Sequence, residues 1–113
     1  MPDSVLAIRD KADLNDRVLT AEGHTAVCFC ADWCPDCRRF KPVFSRLAEG
    51  YDGRLRFATV DVQRCPDLEK EYRIGLIPTV LLFRGGQVVH TWEFVEDPAA
   101  YHAVFKDVGG PGA

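Results

Sequence analysis

Residues 26–40 read Ala-Val-Cys-Phe-Cys-Ala-Asp-Trp-Cys-Pro-Asp-Cys-Arg-Arg-Phe, and no other run constrains the fold as much. An apolar, strand-like stretch leads straight into the cysteine pair Cys34-Pro35-Asp36-Cys37, and a stretch with helical periodicity follows. Both thiols therefore stand at a strand-to-helix junction. The unpaired N–H groups and positive dipole end of a helix favour a thiolate there. A thiolate is the species that attacks disulfides. Two cysteines separated by two residues close a small ring, so the pair can cycle between dithiol and disulfide.

The remainder of the chain supplies a βαβ setting for this junction. Val5–Ile8 reads as a short edge strand, and Asp10–Leu19 as a helix with Leu14, Val18 and Leu19 at helical spacing. Thr25–Cys30 reads as a buried central strand. Cys34–Glu49 carries the stripe Phe40, Val43, Phe44 and Leu47, with Pro42 inside the helix as a source of a kink. Leu55–Asp61 is the next strand, and Pro66–Tyr72 a short helix opened by proline. Thr79–Phe83 and Val88–Trp92 flank Arg84-Gly85-Gly86-Gln87, a hairpin signal. Asp97 is the N-cap candidate of a last helix through Lys106. The order β-α-β-α-β-α-β-β-α predicts an α/β fold with a central mixed sheet flanked by helices.

At 113 residues a single domain spanning 1–113 is expected, with the glycine-rich tail 109–113 frayed. The chain is 47% hydrophobic and 11% aromatic, enough for a core without metal or disulfide staples. A formal net charge of −3 gives no footprint for nucleic acid. The apolar runs are too short to span a bilayer. The start Met1-Pro2-Asp3-Ser4 has no basic stretch followed by an apolar run, so no signal peptide is read. Five cysteines, an odd number, fit a reducing cytoplasm better than a disulfide-stapled secreted domain.

Trp33-Cys34-Pro35-Asp36-Cys37, Ile77-Pro78-Thr79 and the Gly85-Gly86 hairpin together resemble the thioredoxin family. Phe29, Pro42, Asp61 and Phe83 also stand where that family has matching residues, and Pro78 follows Cys34 by 44 residues, a spacing like that of thioredoxins. The resemblance runs from about Val5 to Lys106. It implies a thioredoxin fold and thiol–disulfide exchange, most simply reduction of protein disulfides in the cytoplasm by a monomer. Cys34 would be the exposed nucleophile and Cys37 the buried resolving thiol. Pro78 would be a cis-proline against the pair, with the backbone at Ile77 and Pro78 pairing an extended substrate segment. Trp33 would wall the groove, with Pro35, Asp36 and Phe94 also bordering it. No bound cofactor is implied. The partners would be disulfide-containing proteins and a thioredoxin-reductase-like protein or low-molecular-weight thiol for recycling.

Three departures from the family pattern stand out. The insert Pro35-Asp36 replaces the usual Gly-Pro, as in a branch of small thioredoxin-related proteins with the same Trp-Cys-Pro-Asp-Cys string. Asp36 disfavours a neighbouring thiolate, with Arg38, Arg39 and Lys41 as offsets. Cys28 stands where the family has a buried acid, and Thr59 where it has the accompanying lysine. Phe94 stands near the family's glycine after the last strand, which narrows or reshapes the groove.

Cys28 and Cys30 alternate on their strand, so both face the helix that follows, either as small buried hydrophobes or as auxiliary thiols near Cys37. Cys65 is expected to be exposed, either as an incidental residue or as an oxidisable thiol. His24, His90 and His102 carry no assigned role. Two alternatives stay beside the exchange reading. One is a redox-inert binding module on the same fold. The other is a zinc or iron–sulfur site built from Cys28, Cys30, Cys34 and Cys37, against which strand and helix-end geometry argues.

Overall fold

Five strands form one mixed sheet in the computed structural model, which describes residues 4–108. In chain order they are β1 (Val5–Ile8), β2 (His24–Cys30), β3 (Arg56–Asp61), β4 (Thr79–Arg84) and β5 (Gln87–Glu93). The helices are α1 (Lys11–Leu14), α2 (Pro35–Gly50), α3 (Pro66–Glu71) and α4 (Pro98–Val108). Strand order across the sheet is β1-β3-β2-β4-β5. β1 and β2 both run parallel to β3, whereas β4 is antiparallel to β2 and to β5. The tail 109–113 lies outside the described residues.

β2 is the centre of this arrangement. Its seven residues are apolar or small except His24 and Thr25, and it is hydrogen-bonded on both edges. A strand covered on both faces reads as a continuous apolar run rather than an alternating one, which is the pattern seen here. Val27 and Phe29 point to the face covered by Leu14, Val18 and Leu68. Ala26 and Cys28 point to the opposite face, where Phe40, Phe44 and Leu47 of α2 meet Tyr101 and Phe105 of α4. The rings of Phe44 and Phe105 both stand edge-on to Phe57 of β3, with centroids 5.4 Å away in each case. Such edge-to-face pairs add to the burial of three large side chains.

The elements follow their periodicities, with small differences. α1 is shorter than expected: after Leu14 the chain widens into a π-helical stretch, Asn15–Leu19, closed by the Thr20 N–H on the Asn15 carbonyl at 3.0 Å. α2 runs unbroken from Pro35 to Gly50 through Pro42. α4 continues past Lys106 to Val108. Asp97 does open it, its carboxylate accepting the Ala99 N–H at 2.9 Å. Arg9 and Arg17 hold the buried Asp13 in ion pairs at 3.5 and 3.2 Å. Among the described residues no helix is long and apolar enough to cross a membrane.

Because Phe57 joins β3 to both α2 and α4, its truncation removes packing from the sheet face that carries those two helices. Phe57→Ala is expected to lower the unfolding free energy by about 3–5 kcal/mol, as measured by urea titration.

Candidate functional site

The site forms where β2 ends and α2 begins. Ala31, Asp32 and Trp33 make the turn, and Cys34 caps α2 with extended backbone at φ −83° and ψ 117°. Pro35 takes the first helical position, where its missing N–H costs nothing. The Cys34 sulfur accepts the Cys37 N–H at 3.4 Å, as an N-cap oxygen ordinarily would. The cap thus puts the Cys34 sulfur on the positive end of a 16-residue helix. Cys37 follows one turn on, inside the core.

The long-range part of the site comes from the segment before β4. Its Ile77–Pro78 peptide bond is cis. The Cys34 thiol donates to the Ile77 carbonyl at a long 4.0 Å, and Pro78 is buried. Thr79 is held by its hydroxyl, which donates to the Leu76 carbonyl at 2.6 Å. The Ile77 contact corrects one expectation. Cys34 is not openly exposed; only 6% of its surface is accessible, against 5% for Cys37. The approach of Ile77 covers it, a non-local effect that the motif does not reveal.

What separates the two thiols is environment. Burial pushes the Cys37 thiol up to about 12, and the neighbouring Cys34 and Cys30 sulfurs add to that, against an opposing N–H from Ala31. Cys28 is also pushed up, first by its hydrogen bond to Cys30 and then by burial, whereas Cys30 is brought down by the same hydrogen bond.

Asp36 is neutralised by its neighbour one turn on, since Arg39 forms an ion pair with its carboxylate. The Arg38 guanidinium donates to the Asp32 carbonyl oxygen at 3.2 Å, and Lys41 stands 3.9 Å from the Asp32 carboxylate. Of the three offsets expected for Asp36, only Arg39 is paired with it.

Phe94 has a positive φ of 59°, a conformation that costs a bulky residue roughly 1–2 kcal/mol. It borders a mostly apolar groove of about 230 Å³ together with Asp36, Phe40, Val43, Val95 and Pro98. The Tyr101 hydroxyl accepts the Glu96 N–H at 3.2 Å, fixing the loop behind it. The structure therefore joins Asp36 to Phe94 in one groove and Cys34 to Ile77 in one contact. Trp33 stands beside Cys34 with 59% of its surface open, and Pro35 is also exposed. Leu76 and Val95, 53% and 45% exposed, are apolar neighbours of the site that sequence reading missed. Their only signal is adjacency to Ile77 and Phe94.

Cys65 corrects a second expectation. It is 1% exposed, and its thiol donates to the Arg9 carbonyl at 3.5 Å. Cys28 is buried opposite Thr59 of β3, and Cys30 is half-buried. Among the described residues no three His, Cys, Asp or Glu side chains are grouped to hold a metal. The largest cavity described, about 590 Å³, lies at the far end of β2 between His24, Asp52 and Arg56, away from both thiols.

The Cys37 environment has a consequence for stability. The unfolded chain releases this proton above the ordinary cysteine value of 9.0, and the folded chain keeps it to about 12. Between those limits the unfolded state binds fewer protons, so stability falls as pH rises. The reduced protein is expected to lose unfolding free energy across this window, and Cys37→Ser should flatten the loss. Urea titrations at stepped pH check it.

Known proteins resemble this chain in sequence and fold. The family model described as Thioredoxin matches residues 5–104. The chain is 32% identical over 103 residues to the mitochondrial thioredoxin of Bos taurus, covering 91% of this chain and 62% of that one. It thus spans less than two thirds of that relative's length. Thioredoxin C-2 of Corynebacterium nephridii is 40% identical over 72 residues, 64% of this chain and 67% of its own length. A solved point mutant of a thioredoxin from Halobacterium salinarum superposes with a TM-score of 0.84 at 28% identity, covering 96% of this chain and 93% of that one. With the fold, the helix-capping cysteine pair and these matches in place, the chain belongs to the thioredoxin family.

Proposed function

We propose that this protein is a thiol–disulfide oxidoreductase that reduces protein disulfides through Cys34 and Cys37. The observation that carries the reading is the capping arrangement, in which the Cys34 sulfur accepts an N–H at a helix start while the Cys37 thiol, one turn on, is pushed up by burial. The first position sets the sulfur against backbone N–H groups at the start of α2, where it can meet a substrate disulfide. The second favours a thiol that waits until a mixed disulfide has formed.

Cys34 attacks one sulfur of a substrate disulfide. A Cys34–substrate bond forms, the substrate S–S bond breaks, and the electron pair leaves with the second substrate sulfur. Cys37, once deprotonated, attacks the Cys34 sulfur. The Cys34–Cys37 bond forms and the substrate departs as a dithiol. A thioredoxin-reductase-like protein or a low-molecular-weight thiol restores the pair. The cycle needs no bound cofactor, and five free thiols suit a reducing compartment such as the cytoplasm.

Substrate would lie across the exposed apolar side chains Trp33, Leu76, Phe94 and Val95, with extended backbone beside Ile77 and Pro78. The groove rim carries Asp36 and Glu96 against Arg39, an acidic excess. Acidic flanks on a target are therefore disfavoured, most strongly at low salt, where screening is weak.

Two experiments test the reading. In an insulin-reduction assay with dithiothreitol, Cys34→Ser should fall to background, and Cys37→Ser should instead accumulate mixed disulfides. Full activity in Cys34→Ser would remove the nucleophile assignment. Asp36→Gly and Phe94→Gly should each raise the rate on large disulfide proteins severalfold relative to a small disulfide, because a small molecule does not fill the groove. An unchanged ratio in both variants would mean that the groove does not select substrates.

A further inference from the structure

The cavity at the far end of β2, about 590 Å³, lies between the turns that lead into β2 and β3. Pockets that hold small organic ligands measure roughly 300–1,000 Å³. The exchange cycle makes no use of this space.

Arg56, the first residue of β3, stands half-buried in the cavity wall. The Arg56 Nε–H donates to the Thr25 hydroxyl at 3.2 Å, and an Nη2–H donates to the Glu22 carbonyl. Both acceptors are neutral, so they hold the guanidinium in place without cancelling its charge. Two of its five N–H donors are used, and among the described residues no other acceptor and no carboxylate pairs with it. A charge drawn partly out of water ordinarily has a counter-charge. A guanidinium fork with donors to spare matches a carboxylate.

His24 lines the same cavity from the start of β2. Its ring is half-buried and has no hydrogen-bond partner among the described residues. Burial, and then the charge of Arg84 opposite on β4, hold the ring below its ordinary value, so at neutral pH it is uncharged and offers one N–H. Arg54 adds a positive charge at the mouth. Glu22 and Asp52 face the same space from exposed turns, where water screens them. Their charges disfavour a polyanion and leave room for one anionic group, at Arg56. Leu6, Leu55 and Phe57 supply apolar wall.

We propose that this cavity binds a small organic carboxylate with an apolar body, its carboxylate on Arg56 and His24 and its body against Leu6 and Leu55. The site involves neither thiol, so it stands or falls independently of the exchange reading.

The test titrates the isotope-labelled full chain with naphthoate and follows the backbone amides by NMR. Saturable shifts are expected at residues 22–25 and 52–57, with a Kd of about 1 mM or tighter. Naphthol, the same body without the charge, should bind at least about tenfold more weakly, because a hydrogen bond to a charged group is lost. Arg56→Gln keeps a donor and removes the charge, and should weaken naphthoate by about tenfold or more. Should that variant not fold, His24→Ala is expected to weaken naphthoate about threefold or more, and the naphthol comparison needs no variant at all. Shifts that do not saturate, equal binding of naphthol, or an Arg56→Gln variant that binds as the unaltered chain does would each overturn the proposal. Shifts centred on Trp33 and Cys34 would place the ligand in the exchange groove and overturn it too. Phenyl phosphate binding more tightly than naphthoate would overturn the carboxylate assignment.

Discussion

The hydrogen bond from the Cys37 N–H to the Cys34 sulfur organises everything around it. It makes a cysteine do what serine or aspartate ordinarily does at a helix start. The cap in turn requires that β2 deliver the chain to the start of α2 without a long loop, and the three-residue turn Ala31–Trp33 does so. β2 is held in place because it pairs with β3 on one edge and β4 on the other. The same β4 pairing brings the Ile77 carbonyl to the Cys34 sulfur. One strand thus places the Cys34 sulfur, the helix start beneath it and the segment that covers it.

Accessibility differs little between the two thiols, so it does not divide their roles. Electrostatic environment does. One sulfur takes an N–H at a helix terminus. The other lies among apolar groups that keep it protonated. The chain has Cys28 and Thr59 facing each other across β2 and β3, and Cys37 shares a small crevice with Cys30, Asp32, Arg38 and Lys41. Groove shape is a separate matter. Phe94 keeps a strained backbone conformation while its ring borders the apolar groove. Strain of that kind persists where the surroundings enforce it, here through the Glu96–Tyr101 hydrogen bond and the hairpin before it.

Much of this is legible in the sequence because local periodicity and tertiary packing agree. The apolar run 26–30, the stripe through Phe40, Phe44 and Leu47, and the glycine pair between β4 and β5 each name their element without help from the fold. Apart from α1, element ends differ by one or two residues, as frayed helix turns and strand ends do. What escapes is non-local. Cys65 follows the end of β3 and reads as an exposed helix start, but the chain folds it under the Arg9 carbonyl. Cys34 reads as exposed because its motif says nothing of Ile77. The π-helical stretch after Leu14 depends on a wider hydrogen bond, Thr20 to Asn15, that no apolar pattern signals. Asp32, which draws both Arg38 and Lys41, is a plain turn residue in the sequence and acquires its part only when α2 folds back beside it.

Whether Cys34 and Cys37 form one reducing couple is measured most directly by the reduction potential of the pair. It is obtained by equilibrating the protein in defined thiol–disulfide buffers and counting oxidised thiols by mass spectrometry. A single two-electron transition confined to Cys34 and Cys37 is predicted, at a potential below about −200 mV, in the range of cytosolic reductants. Independent oxidation of the two thiols, or a transition near about −120 mV where oxidants poise, would contradict it.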